Sequence, residues 1–515
     1  MRWVLAALAF LAGSAAAQEL RIGYGAAVTS VDPHFHALTS NSAVHQHIFE
    51  ALVGQDENLG LRPGLATSWR ALDATSWEFR LRPTARWHDG TPFNAADVAA
   101  SAARVAWVPN SPGRFTIYTR RILAFEVVDA HTLIMRTDGA HPLLPNQMAG
   151  MMLVPAALRE APTSEFNNGR AAIGTGPYRF AGWQPGSRFD LVRNADYDGP
   201  AEPWERVSFR LITNTAARVA ALRSGDVDVI DQVPTNDVAA MQRDGALRIV
   251  ATPGVRNIYL YLDTSREQSP GVTDMAGNPI PNPLRDVRVR RALSLAINRE
   301  GIVRAVMGGQ AVVSGQLLPA GSIGFDPQTR PDPFDPERAR RLLAEAGYPN
   351  GFQIVLGGPN DRYINDEQVL QAVAQGWTRA GLRVRLEAQP ASVFFNRSAR
   401  NELSAGLLGW GTGTGEPDSP LQAVIATANP ARGWGAANRS LYSNAAVDAL
   451  LEQALGTLEL RDRAPLYSQA IRIAMSDLAI VPLHHQVNIW AARRGIVVTP
   501  RNDERTMATE MRPVR

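Results

Sequence analysis

The sequence predicts an α/β protein of two or three domains. Three observations lead there. Runs with the period-2 alternation of strands take turns along the chain with runs of helical periodicity, the pattern of α/β lobes. The length, 515 residues, exceeds what one hydrophobic core organises. Hydrophobic content of 45% and charged content of 20% are ordinary for globular protein, and no internal repeat is evident.

Residues 1–17 stand apart from this pattern. Met1-Arg2, an apolar run from Trp3 to Leu11 and Gly13-Ser14-Ala15-Ala16-Ala17 are the charged, apolar and small-residue parts of a secretory signal peptide. Cleavage is expected after Ala17, with Gln18 as the mature N-terminus. The apolar core is shorter than the roughly 20 residues that span a bilayer, and no later segment qualifies. A lipoprotein anchor needs a cysteine at the cleavage site, and the chain has none. The mature protein is expected free in the periplasm, with no insertion into the membrane.

The mature chain opens with a strand at 20–24. A loop Thr29-Ser30-Val31-Asp32-Pro33-His34 leads to an apolar-periodic helix at 42–52. Residues 77–81 alternate as a strand. Asn94 is a natural N-cap, and Asp97 in the first turn suits the positive end of the helix that follows. Further strands are predicted at 178–180, 188–192, 207–212, 227–230, 247–251 and 257–262. Helices are predicted at 216–224, 237–244 and 287–296. The proline-rich stretch 270–283 is the best linker candidate. Asp335-Pro336 starts a helix that Gly347 stops. Strands at 352–356 and 382–387 flank a long helix ending near Ala380, and a strand at 403–410 runs into a glycine-rich loop. Helices at 444–455 and 460–475 precede a last strand at 480–491.

All 52 basic residues are arginine, against 49 acidic ones. The pI of 9.4 overstates the basicity, because no lysine titrates between pH 9 and 11. The formal charge is only +3, and no basic cluster suggests nucleic acid as a partner. Missing lysines exclude Schiff-base chemistry, and missing cysteines exclude disulfides, thiolate metal sites and cysteine catalysis.

The densest motif is Ile173-Gly174-Thr175-Gly176-Pro177-Tyr178-Arg179-Phe180, with Trp183, Pro185-Gly186, Phe189-Asp190-Leu191-Val192 and Arg193-Asn194-Ala195-Asp196-Tyr197 behind it. Upstream, Leu65-Ala66-Thr67-Ser68-Trp69 and Trp87-His88-Asp89-Gly90-Thr91-Pro92 add to it, as do 218–228 and 289–303 downstream. Together these segments resemble the family 5 extracytoplasmic solute-binding proteins, the receptors of dipeptide, oligopeptide and nickel ABC importers. The resemblance implies a two-lobed periplasmic-binding-protein-like fold with an inserted subdomain. Lobe one would hold 18–50, the insert 51–170, then 171–263 and a C-terminal return at 481–515; lobe two would hold 264–480. It also implies a monomeric receptor without a cofactor, closing on its ligand and docking on an inner-membrane permease.

Site expectations centre on lobe two. The loop Gly409-Trp410-Gly411-Thr412-Gly413-Thr414-Gly415-Glu416-Pro417-Asp418-Ser419 follows a strand, where open α/β lobes bind ligands. It offers the aromatic face of Trp410, backbone N–H groups and the carboxylates of Glu416 and Asp418. Peptide-binding members place an amine-pairing aspartate three residues after the corresponding tryptophan, where this chain has Gly413. Glu416 or Asp418 is the candidate replacement; the other reading makes both solvated loop acids. Replacing the pair is expected to weaken a cationic ligand and spare the fold. Arg362 and Tyr363 fall where such members grip a carboxylate, a task that suits a planar guanidinium; otherwise Arg362 pairs with Asp361 or Asp366 on the surface. Thr29 and Ser30 are the candidates from lobe one.

The ligand expected is a short peptide or peptide-like compound. The alternatives are an opine-like or sugar-phosphate solute, or a nickel complex. The paired histidines His34/His36, His45/His47 and His484/His485 have spacings that set most partners on different faces, which favours structural roles. Gly174-Thr175-Gly176 lacks the lysine and spacing of a phosphate loop. A secreted hydrolase is the remote alternative, since no G-x-S-x-G or H-E-x-x-H motif is present.

Overall fold

The computed structural model describes residues 18–112 and 115–514. The segment expected to be cleaved lies outside the described residues.

One 11-stranded sheet runs through the molecule. From one edge it reads Arg383–Gln389, Gln353–Pro359, Ala405–Trp410, Leu247–Leu262, Val481–Arg493, Val229–Ile230, Glu19–Tyr24, Arg206–Leu211, Arg188–Arg193 and Tyr178–Gln184, with Ala311–Val313 added to Val481–Arg493. The local α/β units are parallel: Gln353–Pro359 lies parallel to both of its neighbours, and Glu19–Tyr24 likewise. Two strands, Leu247–Leu262 and Val481–Arg493, are long enough to belong to both halves of the sheet. Each half carries its own core. Leu20, Ile22, Phe49, Tyr178 and Phe209 pack on the first half. Leu260, Leu293, Leu356, Val373 and Trp377 pack on the second. A separate four-stranded sheet, Ala66–Asp73, Ser76–Leu81, Thr132–Thr137 and Ile122–Asp129, forms a small unit with a third core around Phe79, Trp87 and Leu133.

Helix boundaries follow sequence chemistry at several points. Asn94 caps Ala95–Trp107, its side chain accepting from Ala96, while Asp97 accepts the Asn94 N–H. Asp335 caps Pro336–Glu345, with proline at the first position, where no N–H is missed. Gly225 closes Thr215–Ser224 at φ 85°, a conformation that costs glycine little.

Three expectations are corrected. The helix expected at 42–52 ends at His45. The carbonyls of His47 and Ile48 instead accept from Tyr178 and Gly176, so the start of the Tyr178–Gln184 hairpin takes the acceptors a continuing helix would use. A Cβ at Gly174 or Gly176 would strike these same carbonyls, which explains both glycines. The strands expected at 247–251 and 257–262 are one strand broken by a bulge between Pro253 and Asn257. The stretch 270–283 bridges Thr273 to Gln353 and buries Val272 in the second core, so it is packed against the second half and is no free linker.

Candidate functional site

The bulge at 253–257 lies where the two long strands pass between the halves of the sheet. An extra residue in one strand bends it and re-aims side chains. Here the bend turns Val255 and Arg256 into a cleft of about 370 Å³. Trp410 and Gly413 line it from the second half, Thr39 from the first, and Asp503, Glu504 and Arg505 from the C-terminal return.

The charges bordering this cleft are already matched. Arg256 holds Glu504 through two N–H groups, at 2.7 and 3.1 Å. Asp503 accepts from Arg501 at 2.7 Å, and Arg505 lies 3.3 Å away. These arginines, like the tail they bind, were not singled out from the sequence. The one local signal is the break Gly254-Val255-Arg256 inside a strand pattern; a Cβ at Gly254 would come within 3.0 Å of the Gln486 carbonyl and meet the Asn488 side chain.

Of the candidates from the glycine-rich loop, Trp410 lines the cleft, and its indole N–H donates to Ser419 at 3.1 Å. Gly413 also lines it, with open space where a side chain would stand. Glu416 and Asp418 lie beneath the loop. Glu416 is 2% exposed and forms a two-pronged ion pair with Arg463, both contacts at 2.8 Å. Asp418 is buried and accepts from the Thr414 hydroxyl. Its burial, with Glu416 nearby, outweighs that bond and pushes its carboxyl up to about 7. Neither acid is a solvated loop residue, and neither is among the cleft-lining residues.

The loop is also held from the small unit's side. Gln55 donates to the Gly413 carbonyl and Asn146 to the Thr414 carbonyl, each at 2.8 Å, and Leu59 backs Gly415. These contacts read backbone, so no side-chain pattern announced them.

Tyr363 is buried against Gly409, where its hydroxyl lies 3.4 Å from the carbonyl. The Arg362 guanidinium stands 5.2 Å from the Tyr363 ring centroid. Asp366 accepts the backbone N–H groups of Arg362 and Tyr363, both at 2.9 Å, and Asp361 accepts from Ala391. The expected surface pairing of Arg362 with either acid is therefore absent, and among the described residues Arg362 has no carboxylate partner; it is exposed, and neither it nor Tyr363 is among the cleft-lining residues. Ser30 is buried, donating to Asn167 at 2.9 Å and accepting from Asp32. Thr29 is exposed and bonded to Asn41. Both stitch the first loop together, and Thr39 is the residue of that region that borders the cleft.

Three of the paired histidines serve as internal fasteners, whereas both ring nitrogens of His484 are buried without a partner among the described residues. His34 bonds the Met152 carbonyl at 2.7 Å, His45 the Ser30 carbonyl at 2.8 Å, and His47 accepts from Ala508 at 2.9 Å. Burial pushes His45 and His484 down to about 4, which keeps them neutral.

Comparison with known proteins agrees with this geometry. The family profile for bacterial extracellular solute-binding proteins, family 5 (middle), matches residues 60–431. The glutathione-binding protein GsiB of Escherichia coli O1:K1 / APEC is 29% identical over 91% of this chain and 89% of its own. Periplasmic binding protein DppA from Helicobacter pylori, solved with the peptide STSA, superposes at a TM-score of 0.79 with 21% identity, covering 96% of this chain and 98% of that one. AgaA from A. tumefaciens R10, solved with agropinic acid, gives 0.76 with 23% identity over 96% and 99%. The chain belongs to family 5 of the bacterial extracellular solute-binding proteins, the substrate-binding receptors of ABC importers.

Proposed function

We propose that this receptor captures a compact, carboxylate-bearing peptide or peptide-like solute, with glutathione the first candidate. One observation carries the reading: the acids that line the cleft are already paired with the chain's own arginines, while Arg362 stands beside Tyr363 with no carboxylate of its own. A ligand ammonium finds no free acid at Gly413, whereas a ligand carboxylate that extends past the cleft lining to the exposed Arg362 would meet a guanidinium fork. The cleft volume, about 370 Å³, sits near the lower end of ligand pockets, roughly 300–1,000 Å³, which favours a tripeptide-sized solute over a long peptide. The glutathione-binding relatives supply the specific candidate.

Calorimetric titration of the mature protein tests this with glutathione, simple tripeptides, their C-terminally amidated forms and agropinic acid. Binding of the free acids that amidation and Arg362→Ala both weaken supports the proposal. Binding by amidated peptides as tight as by free acids removes the carboxylate anchor. Silence with every peptide and a signal from agropinic acid moves the receptor to the non-peptide reading. The ligand should be recovered chemically unchanged, as befits a receptor that hands it to a permease. Cleavage after Ala17 and absence of a lipid belong to the same proposal, and mass spectrometry of the exported protein reads both.

A further inference from the structure

A second cavity, of about 200 Å³, opens on the far half of the sheet and shares no lining residue with the cleft. Four arginines reach it: Arg291, Arg299, Arg330 and Arg472. The one carboxylate in its lining is Asp332, and a second, Asp326, lies behind Arg472. That leaves two positive charges uncompensated at one concave site.

Part of this clustering has a structural cause. The helices Val287–Leu295 and Leu460–Ser476 end here, and cations are favoured at such ends. Arg291 donates to the Ser476 carbonyl at 3.0 Å and to Asp332 at 2.6 Å. Arg299 donates to the carbonyls of Pro482, Ser294 and Asp332, at 2.8, 3.1 and 3.4 Å, and to the Ser294 hydroxyl at 2.8 Å. Arg299 is 5% exposed and has no carboxylate within ion-pair distance; burial pushes it down to about 10 and leaves it charged. A buried charge without a counter-charge is costly.

Helix ends do not account for Arg330, whose guanidinium has no partner among the described residues. Its side chain is exposed, and only its backbone is fixed. The backbone at Arg330–Pro331 crosses so close over Gly315 that any Cβ there would collide with it. Arg472 spends its Nε and Nη2 on Asp326, at 3.0 and 2.8 Å, which leaves its other amino group open. The unpartnered guanidinium of Arg330 and the open amino group of Arg472 therefore border one cavity with the buried charge of Arg299, and a carboxylate oxygen of Asp332 is uncommitted in the same lining.

We propose that this cavity is a binding site for a small oxyanion that carries its own proton, with hydrogenphosphate as the type ligand. The arginines supply charge-assisted donors to the anion's oxygens, and Asp332 accepts the anion's proton. That acceptor sets a preference: sulfate, fully deprotonated at neutral pH, would place an oxygen against the Asp332 carboxylate with no proton between them.

Isothermal titration of inorganic phosphate into the mature protein in a chloride buffer, repeated with sulfate, tests this. Saturable phosphate binding, tighter than sulfate binding, is expected. Arg330→Gln, at an exposed position, should weaken phosphate about tenfold and leave binding of the cleft ligand unchanged. Asp332→Asn should narrow the difference between phosphate and sulfate. A wild-type protein with no saturable phosphate binding overturns the site, as does an Arg330→Gln variant that binds phosphate like the wild type. Equal affinity for sulfate overturns the role of Asp332.

Discussion

Glu416 and Arg463 meet in a two-pronged contact with both side chains 5% exposed or less. Removing one member leaves the other charged and unsolvated, a loss of about 3–5 kcal/mol for such pairs. Glu416→Ala should therefore appear as a stability defect in urea melts, so replacing both loop acids will not spare the fold as sequence reasoning expects. A Glu416→Ala protein with wild-type stability but weakened ligand would restore the anchoring role. Asp418 behaves differently. Its carboxyl, raised to about 7 in the fold, holds its proton more tightly than in the unfolded chain, where a value near 4 is usual. Its stabilising contribution is full below about pH 4, declines as pH rises, and is gone above about pH 7. Asp418→Asn should flatten the stability profile across that window, measured by denaturant titration at fixed pH values. Parallel profiles for the two proteins would mean that Asp418 ionises as in the unfolded chain.

The loop carrying these acids is fixed by hydrogen bonds from a different part of the chain. Gln55 and Asn146 grip the carbonyls of Gly413 and Thr414. Each neutral bond contributes about 0.5–1.5 kcal/mol. If these contacts belong to the ligand-holding form, Gln55→Ala with Asn146→Ala should raise the dissociation constant about 5- to 150-fold, mainly through faster release in stopped-flow traces. An unchanged release rate would make them packing contacts alone. Elements of this kind show where the sequence was readable. Caps at Asn94 and Asp335 act within one turn, so local chemistry announces them. The hairpin from Tyr178 was visible in its alternating run and in the motif that carries the family resemblance, while the reason for Gly174 and Gly176, their closeness to the His47 and Ile48 carbonyls, was not. The early end of the helix at His45 was not visible, because its missing acceptors are taken from about 130 residues away. Trp410 was placed correctly at the end of its strand and lines the cleft. Arg256 and Glu504 were missed because their pairing spans 248 residues.

At the scale of the whole molecule, the halves keep separate cores and share two through-running strands bent at the bulge between Pro253 and Asn257. Elsewhere they meet through polar contacts, such as Asn365 to Thr235 at 3.0 Å. Interfaces of that character permit relative motion of the parts they join. An empty receptor built this way should not unfold as one cooperative unit, so its calorimetric enthalpy should exceed its van't Hoff enthalpy. A ligand held by both halves links them, because leaving either half costs the binding energy. At a hundred times its dissociation constant it adds about 2.7 kcal/mol, and the two enthalpies should converge. A ligand that raises one transition and leaves the other in place would be seated on a single half, and the cleft at Arg256 would then not be where it binds.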